Sequence, residues 1–402
     1  MVGIDKNILD SVCLKRSESL SEIIFSQNQI IELCFKYLNC FSKTEKENFK
    51  IELQKVSGRK NIKVRSVNWF LKNAESISGK RIERKIRSID KLDNFFKVEN
   101  RIEGINTEVK NEIRKRSAYF TNVIISDILG GKPNKLEELE EAFREKFPKN
   151  GRSKVNNHIN RYLSFLFDYS EFSSKDSIYD WNAYELTKEL GVKTCLYCNR
   201  NYTLTVSNSG KDIIRPELDH FLPKSINPIL SLSFYNLIPS CHTCNSNLKG
   251  KKDFALSTHF HPYLSDFDKE KVFFTYLPTN AKAFYGDKRG LKIKLDTSVC
   301  ENLSIQISSN ISLFKLDEIY NEHADIVEGM LDIQKKTNNK NIQSIFEKIL
   351  VDTDGNKYFE SEKEVYELMI RNYYSSKDFS KKTMAKFERD MAKELGLIQK
   401  TI

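Results

Sequence analysis

Two Cys-x-x-Cys pairs, Cys195-Leu-Tyr-Cys198 and Cys241-His-Thr-Cys244, stand 42 residues apart (199–240) and constrain this chain more than any other feature. Two such knuckles supply four thiolates, enough to close a tetrahedral Zn²⁺ site with no coordination position left for substrate, so the metal they predict is structural. Its binding free energy, on the order of 10 kcal/mol or more in small zinc modules, can hold together a glycine-rich segment too small to have its own core. A C-x-x-C pair also occurs in thioredoxin-like redox sites, but such a site uses one pair, whereas here two flank a shared insert. The other four cysteines, Cys13, Cys34, Cys40 and Cys300, lack ligand spacing and read as buried small hydrophobes or ordinary free thiols.

The thiols are expected to be reduced. The opening stretch MVGIDKNILDSVCLKRSE has no apolar run of signal-peptide length and no later stretch has the apolar length of a membrane span, so a cytoplasmic location without membrane contact is predicted. With 39% hydrophobic and 30% charged residues, the 402-residue chain has the balance of a globular protein of one large or two to three ordinary domains. A net charge of +10 leans towards an anionic partner without identifying one.

The apolar pattern predicts a mainly α protein with a small central α+β module. Residues 1–185 read as a helical N-terminal region that regulates or binds a partner or nucleic acid. Within it Leu20, Ile23, Ile24, Ile31, Cys34, Phe35 and Leu38 recur at helical spacing behind a Ser19-x-x-Glu22 capping box. Between Lys55 and Lys91 the chain is rich in Lys and Arg around Trp69 and Phe70, which reads either as a phosphate-tracking surface or as a solvated helix face with two buried aromatics. Residues 186–298 form the cysteine-bearing module with its following strands, of which Leu291-Lys-Ile-Lys-Leu295 alternates as a half-exposed strand does. The stretch from Tyr179 to Leu190 is expected to enter this module as a helix stopped by Gly191. Residues 299–402 return to helix, with one stripe at Leu316, Ile319, Tyr320, His323, Val327 and Met330 and another at Met384, Phe387, Met391 and Leu395 ending at Gly396. His323, lying on an apolar stripe, reads as a core histidine rather than a ligand.

The insert between the knuckles carries Arg215-Pro-Glu-Leu-Asp-His-Phe-Leu-Pro-Lys-Ser225. On an extended strand Glu217 and Asp219 point to one face and His220 to the other, unless the strand ends there; Pro223 argues that it does. The apolar run Ile229 to Tyr235 is read as a second strand, followed by Asn236, and a short helix is expected from about Cys241 to Gly250. Singly, these polar residues have ordinary roles: Asp219 can cap a turn, His220 can pack beside Phe221, and Asn245 can end the helix. Jointly, inside a double-knuckle frame, they point to catalysis.

The order Asp219-His220, then Asn236, then Cys-x-x-Cys-Asn245 resembles the HNH (ββα-metal) nuclease superfamily, in its branch where two C-x-x-C pairs clamp the fold, with Asn in place of the usual last His. The resemblance covers roughly residues 190–262. It implies a zinc-stapled ββα fold, His220 as general base, Asn236 tying the loop between the strands, and Asp219 and Asn245 holding one catalytic Mg²⁺ or Mn²⁺. A neutral imidazole suits the first role at cellular pH, and hard oxygen donors suit the cation. Lys224, Lys249 and Lys251 are candidates for phosphate contact. His242 reads as a solvent-facing helix residue, and His259 and His261 as loop or packing residues that could alternatively complete a second metal shell. Glu217 reads either as a carboxylate that orients His220 or Arg215 or as a surface acid.

The expected partner is nucleic acid, DNA ahead of RNA; a tRNA-cleaving RNase of the same chemistry and a non-catalytic zinc-knuckle binding module are the rivals. The long helical flanks resemble those of HNH effectors in bacterial anti-phage systems such as Septu, which implies an ATPase partner.

Overall fold

The computed structural model describes residues 1–36, scattered positions between 44 and 55, 107–336 and 354–398, with interruptions at 150, 152, 176, 178, 180, 209–210, 286–289, 301–302 and 357. The basic stretch expected between Lys55 and Lys91 lies, apart from Lys55 itself, outside the described residues, as do Leu38 and Cys40 and the side chains of Ile31, Cys34 and Phe35. Among the described residues the protein is mostly helical, with three two-stranded sheets and a cluster of four cysteines. Among the described residues no helix is long and apolar enough to cross a membrane. The fold divides into two compact units, one of Asp10–Leu186 with Leu222–Leu237, the other of Met1–Leu9, Thr187–Phe221 and Ile238–Ile402.

The first unit is built of helices whose starts are written locally. Thr121 caps the helix Asn122–Gly130 by accepting from Ile124 N, and Pro133 opens Pro133–Lys146 at a position where its missing N–H costs nothing. Ile125, Ile128, Leu129, Leu136 and Phe143 turn inward. Phe120 joins Phe143 and Phe167 in an aromatic cluster with ring centroids 5.4–5.6 Å apart. A buried amide ties the first helix to this core: Asn28 donates to Ser117 O and its Oδ1 accepts from Ser117 Oγ and Tyr162 OH, so each polar group taken out of water is paired. The first helix runs Lys6–Lys36, not from Ser19. Leu9, Val12 and Cys13 continue the buried stripe of Leu20, Ile23 and Ile24 upstream, so Ser19 and Glu22 are mid-helix residues and not a cap.

In the second unit, β1 (Val206–Asn208) and β2 (Lys211–Ile214) form a hairpin, β3 (Glu217–His220) pairs with β4 (Leu237–Ser240), and β5 (Phe273–Pro278) pairs with β6 (Leu291–Asp296). Along β6 the predicted alternation holds, with Leu291, Ile293 and Leu295 buried. The outer edges of the β5–β6 pair are covered by side chains. Asp317 and Asn321 accept from Leu295 N and Ile293 N, while Asp390 accepts from Phe274 N, so ladder groups that would otherwise template another strand are occupied.

The predicted 316–330 stripe is interrupted. It is two helices, Leu316–Asn321 and Ala324–Lys336, and His323 sits half-buried at the break beside Tyr320. Phe387 and Met391 are buried on the helix Ala385–Glu394, with Met384 and Leu395 buried at its two ends, after which Gly396 takes φ +68. Glycine adopts this left-handed backbone without the Cβ penalty.

Candidate metal centre and polar face

The helix Ala183–Leu190 leads into the first knuckle. Its start is four residues later than the aromatic pattern suggests because Asn182 caps it, accepting from Tyr184 N and Glu185 N, and Gly191 at φ +63 stops it. The chain then turns tightly: Asn199 N donates to Cys195 O at 2.7 Å, Asn199 takes φ +53, and Arg200 N points at Cys198 Sγ at 3.4 Å. The Asn199 amide fixes this turn by donating to Thr194 Oγ1 and to the carbonyls of Phe379 and Lys382. Tyr320 OH adds a bond to Cys198 O.

The second knuckle follows β4 directly and runs into a wide helix, Thr243–Lys249, closed by an i→i+5 bond from Gly250 N to Asn245 O. All four cysteines are buried, and their sulfurs lie within 4.8 Å of one another. Across the two knuckles, Cys198 Sγ lies 4.0 Å from Cys241 Sγ. That is far beyond a disulfide bond. It suits a tetrahedron of about 2.3 Å Zn–S bonds, whose edges are about 3.8 Å. Without a cation the sulfurs would share protons: burial pushes the Cys195 thiol up, while hydrogen bonding from Cys195 holds Cys198 down. A divalent ion removes that conflict, and the four buried thiols can hold zinc. Among the described residues no other group of three or more His, Cys, Asp or Glu side chains converges in this way.

The strand positions correct one expectation. Ile229 to Tyr235 is not a strand; Pro228–Leu230 and Phe234–Asn236 are single 3₁₀ turns, and the partner of β3 is Leu237–Ser240. An apolar run satisfies a buried turn as well as a buried strand, and Pro239 is tolerated in β4 because a two-stranded ladder leaves one edge free; its carbonyl accepts from Leu196 N. Asn236, fully buried, binds the intervening loop together: its Oδ1 accepts from Leu222 N at 2.7 Å, and its Nδ2 donates to Leu222 O and Leu230 O.

Alternation along β3 sends Glu217 and Asp219 to the same side, against the knuckle helix. There His242, Asn245, Ser246 and Lys249 fall at i, i+3, i+4 and i+7 and line one helix face. At the inner end Asp219 is buried, its Oδ1 accepting from Lys249 Nζ at 2.9 Å and its Oδ2 from Tyr197 OH at 2.6 Å. Burial pushes the Asp219 carboxyl up, and the Lys249 charge and the Tyr197 hydroxyl offset that only in part. Lys249 also donates to His220 O at 2.6 Å and lies 4.6 Å over the Phe254 ring, so it is a buried structural cation and not a surface phosphate contact. At the outer end Glu217 Oε1 lies 2.7 Å from His242 Nδ1, and its Oε2 accepts from Asn245 Nδ2 at 2.8 Å and Ser246 Oγ at 3.1 Å. Partial burial pushes Glu217 up, but these bonds outweigh it and hold the carboxyl below its ordinary range.

The remaining candidates are dispersed. His220 is buried at the end of β3, next to Phe221, whose ring packs against Phe254 and His261. His259 stacks on Phe254 at 3.7 Å, and burial with the nearby Lys249 charge lowers its pKa. His261 is buried, its Nδ1 accepting from Tyr263 N. The two histidines thus serve different rings. Lys224 lies 4.3 Å over Tyr169, Lys251 is exposed, Cys13 is buried against Gly130 O with its thiol pushed up to about 12, and Cys300 is partly exposed. Sequence reasoning missed Tyr197, the residue inside the first knuckle that donates to Asp219, and the pairing of Glu217 with Asn245; the 242/245/246/249 spacing was the available signal.

No family model, curated protein or solved structure matches the chain.

The Mg²⁺ or Mn²⁺ that the HNH resemblance sets between Asp219 and Asn245 does not fit the arrangement there. Both Asp219 oxygens are engaged, an ammonium already supplies the positive charge, and the Asn245 amide is turned to Glu217.

Proposed function

We propose that this chain hydrolyses phosphodiester bonds in nucleic acid, DNA in the first instance, as a zinc-stapled nuclease of the HNH type. The observation that supports the reading is one juxtaposition: two strands and a helix follow in ββα order between and after the knuckles and carry Glu217, Asp219, His220 and Asn245, with Asp219 hydrogen-bonded to Tyr197 inside the first knuckle and Asn245 next to Cys244. In this reading His220 accepts the proton of the attacking water, a task suited to a neutral imidazole. Asn236 holds the loop that leaves the strand two residues after His220. The Asp219–Lys249 pair pins strand to helix, which keeps His220 in register. An anti-phage role and an ATPase partner rest on the resemblance of the flanks alone.

A second reading is favoured by the burial of Asp219: with its charge spent on Lys249, the module is a zinc-knuckle nucleic-acid binder without catalysis. The two part on one experiment. Purified protein is incubated with supercoiled plasmid and with total RNA in Mg²⁺ and in Mn²⁺, beside His220→Ala. The nuclease reading expects cleavage that falls about 10²–10⁴-fold in the variant with little change in melting. Intact substrates, or equal cleavage by the variant, refute it, and retention of nucleic acid in EDTA then supports the binder.

A further inference from the structure

We infer that a cavity beside the C-terminal end of the helix Glu362–Ile370 binds a phosphomonoester group borne on a nucleoside, and that Arg371 and Lys382 are the cations that hold it. The cavity has a volume of about 500 Å³ and is lined by Glu367, Arg371, Asn372, Tyr373 and Lys382. Small-molecule sites span about 300–1,000 Å³, so there is room for a sugar and a base besides the phosphate. One side chain builds the site. Asn372 is buried; its Oδ1 accepts from Tyr373 N at 2.8 Å, and its Nδ2 donates to Thr383 O at 2.9 Å and to Glu388 Oε2 at 2.6 Å. The bond to Thr383 clasps two segments of chain, and the residue just before each end of the clasp is a cation, Arg371 on one and Lys382 on the other. The two charges are thereby brought to one cavity.

Neither cation has a counter-charge of its own. Among the described residues the Arg371 and Lys382 side chains make no hydrogen bond or ion pair, whereas the adjacent Lys381 donates to Asp378 at 2.7 Å. The carboxylates nearby are engaged elsewhere. Glu367 Oε1 accepts from Tyr374 N at 3.2 Å. Glu388 takes the Asn372 amide, and burial pushes its carboxyl up, which the Asn372 bond and the Lys382 charge offset only in part. Two like charges held together repel, and a bound dianion removes the repulsion. A guanidinium fork beside an ammonium point charge matches a phosphate, while a single carboxylate leaves one of the two unmatched. The other lining groups suit the nucleoside. Tyr373 is half-buried and its ring meets no other aromatic ring among the described residues, so its face is open to stack on a base. Glu367 keeps one oxygen to accept from a sugar hydroxyl or a base amine. Helix geometry alone does not account for the pair. Arg371 just past a helix C-terminus complements the dipole there, but Lys382 stands on extended backbone, at φ −144 and ψ 142.

The site does not rest on the zinc module or on the nuclease reading, and binding alone tests it. Full-length, zinc-loaded protein is titrated calorimetrically with dAMP, with deoxyadenosine, and with one short single strand carrying either a 5′-phosphate or a 5′-hydroxyl. One dAMP per chain is expected, with deoxyadenosine about tenfold weaker or more and inorganic phosphate in competition. Arg371→Gln and Lys382→Met should each weaken dAMP by about tenfold or more while the melting temperature of the unliganded protein stays nearly unchanged. A preference for the phosphorylated strand over both its hydroxyl counterpart and dAMP supports the site as one for nucleic-acid ends. A preference for dAMP supports it as one for free nucleotide. Absence of saturable binding by dAMP and by the phosphorylated strand overturns the inference, as does equal affinity for dAMP and deoxyadenosine. Displacement of dAMP by acetate as readily as by inorganic phosphate overturns it too. Wild-type affinity in both variants, with lowered melting, would leave the two cations a structural role only and overturns it as well.

Discussion

Glu217 and Asp219 sit two residues apart on one strand, face one helix, and end in opposite chemistry. Asp219 is sealed in with an ammonium and a phenol, while Glu217 opens to solvent among a histidine, an amide and a hydroxyl. Each carboxylate is matched to its depth. A buried charge is stable only when paired and hydrogen-bonded, whereas an exposed one keeps its water and stays free to exchange partners. The lesson is that nearness to a motif does not assign a role: the Asp219 beside His220 is the structural one of the pair, and Glu217 is the one a ligand can reach.

The widest effect expected strikes the frame that both ends share. Cys198→Ser should lower zinc from one equivalent to none by elemental analysis and unfold the knuckle region, since a structural zinc contributes on the order of 10 kcal/mol to such a module. Retention of one zinc in that variant would mean that the four ligands are wrongly assigned.

Next comes the inner end alone. Lys249→Met leaves Asp219 buried without its cation and should cost about 3–5 kcal/mol in urea unfolding. A loss below about 1 kcal/mol would erase the contrast drawn here. The double change Lys249→Met with Asp219→Leu should recover much of the loss, because an apolar pair needs no compensation.

The outer end should respond least, and with a sign set by its protonation. Glu217 has a folded pKa below its ordinary value, so its contribution is fully present above about pH 4.5 and is lost as pH falls through the folded value. Because the group is more than a third exposed, solvent screening keeps that contribution under about 1 kcal/mol. Glu217→Gln should therefore flatten a small acid limb of the stability profile and leave neutral-pH stability nearly unchanged. A loss of several kcal/mol at pH 7 would put Glu217 in the same class as Asp219.

How much of this was legible depends on the range of the interaction. The four-cysteine cluster, which could hold a zinc ion, was readable because each C-x-x-C pair is a local object whose spacing already matches one turn of backbone. The alternation of Leu291 to Leu295 and the stripe from Met384 to Leu395 were readable for the same reason: a period and a burial face are properties of a short segment. The strand expected at Ile229 to Tyr235 was not, because apolarity reports burial and leaves the backbone shape open. Ser19 and Glu22 matched a capping pattern inside a helix that had begun thirteen residues earlier, where a continuous apolar stripe outweighs a cap.

By itself, then, the amino-acid order determined two cysteine pairs able to hold a metal, a polar strand with its carboxylates on one face, and the helix that follows. Only the tertiary structure decided which carboxylate is neutralised and which is offered to solvent. Lys249 lies thirty residues beyond Asp219, and Tyr197 twenty-two before it. No local rule pairs groups so far apart in the chain; depth and partners emerge when strand, knuckle and helix close on one another, and the charge state of each carboxylate follows from that closure.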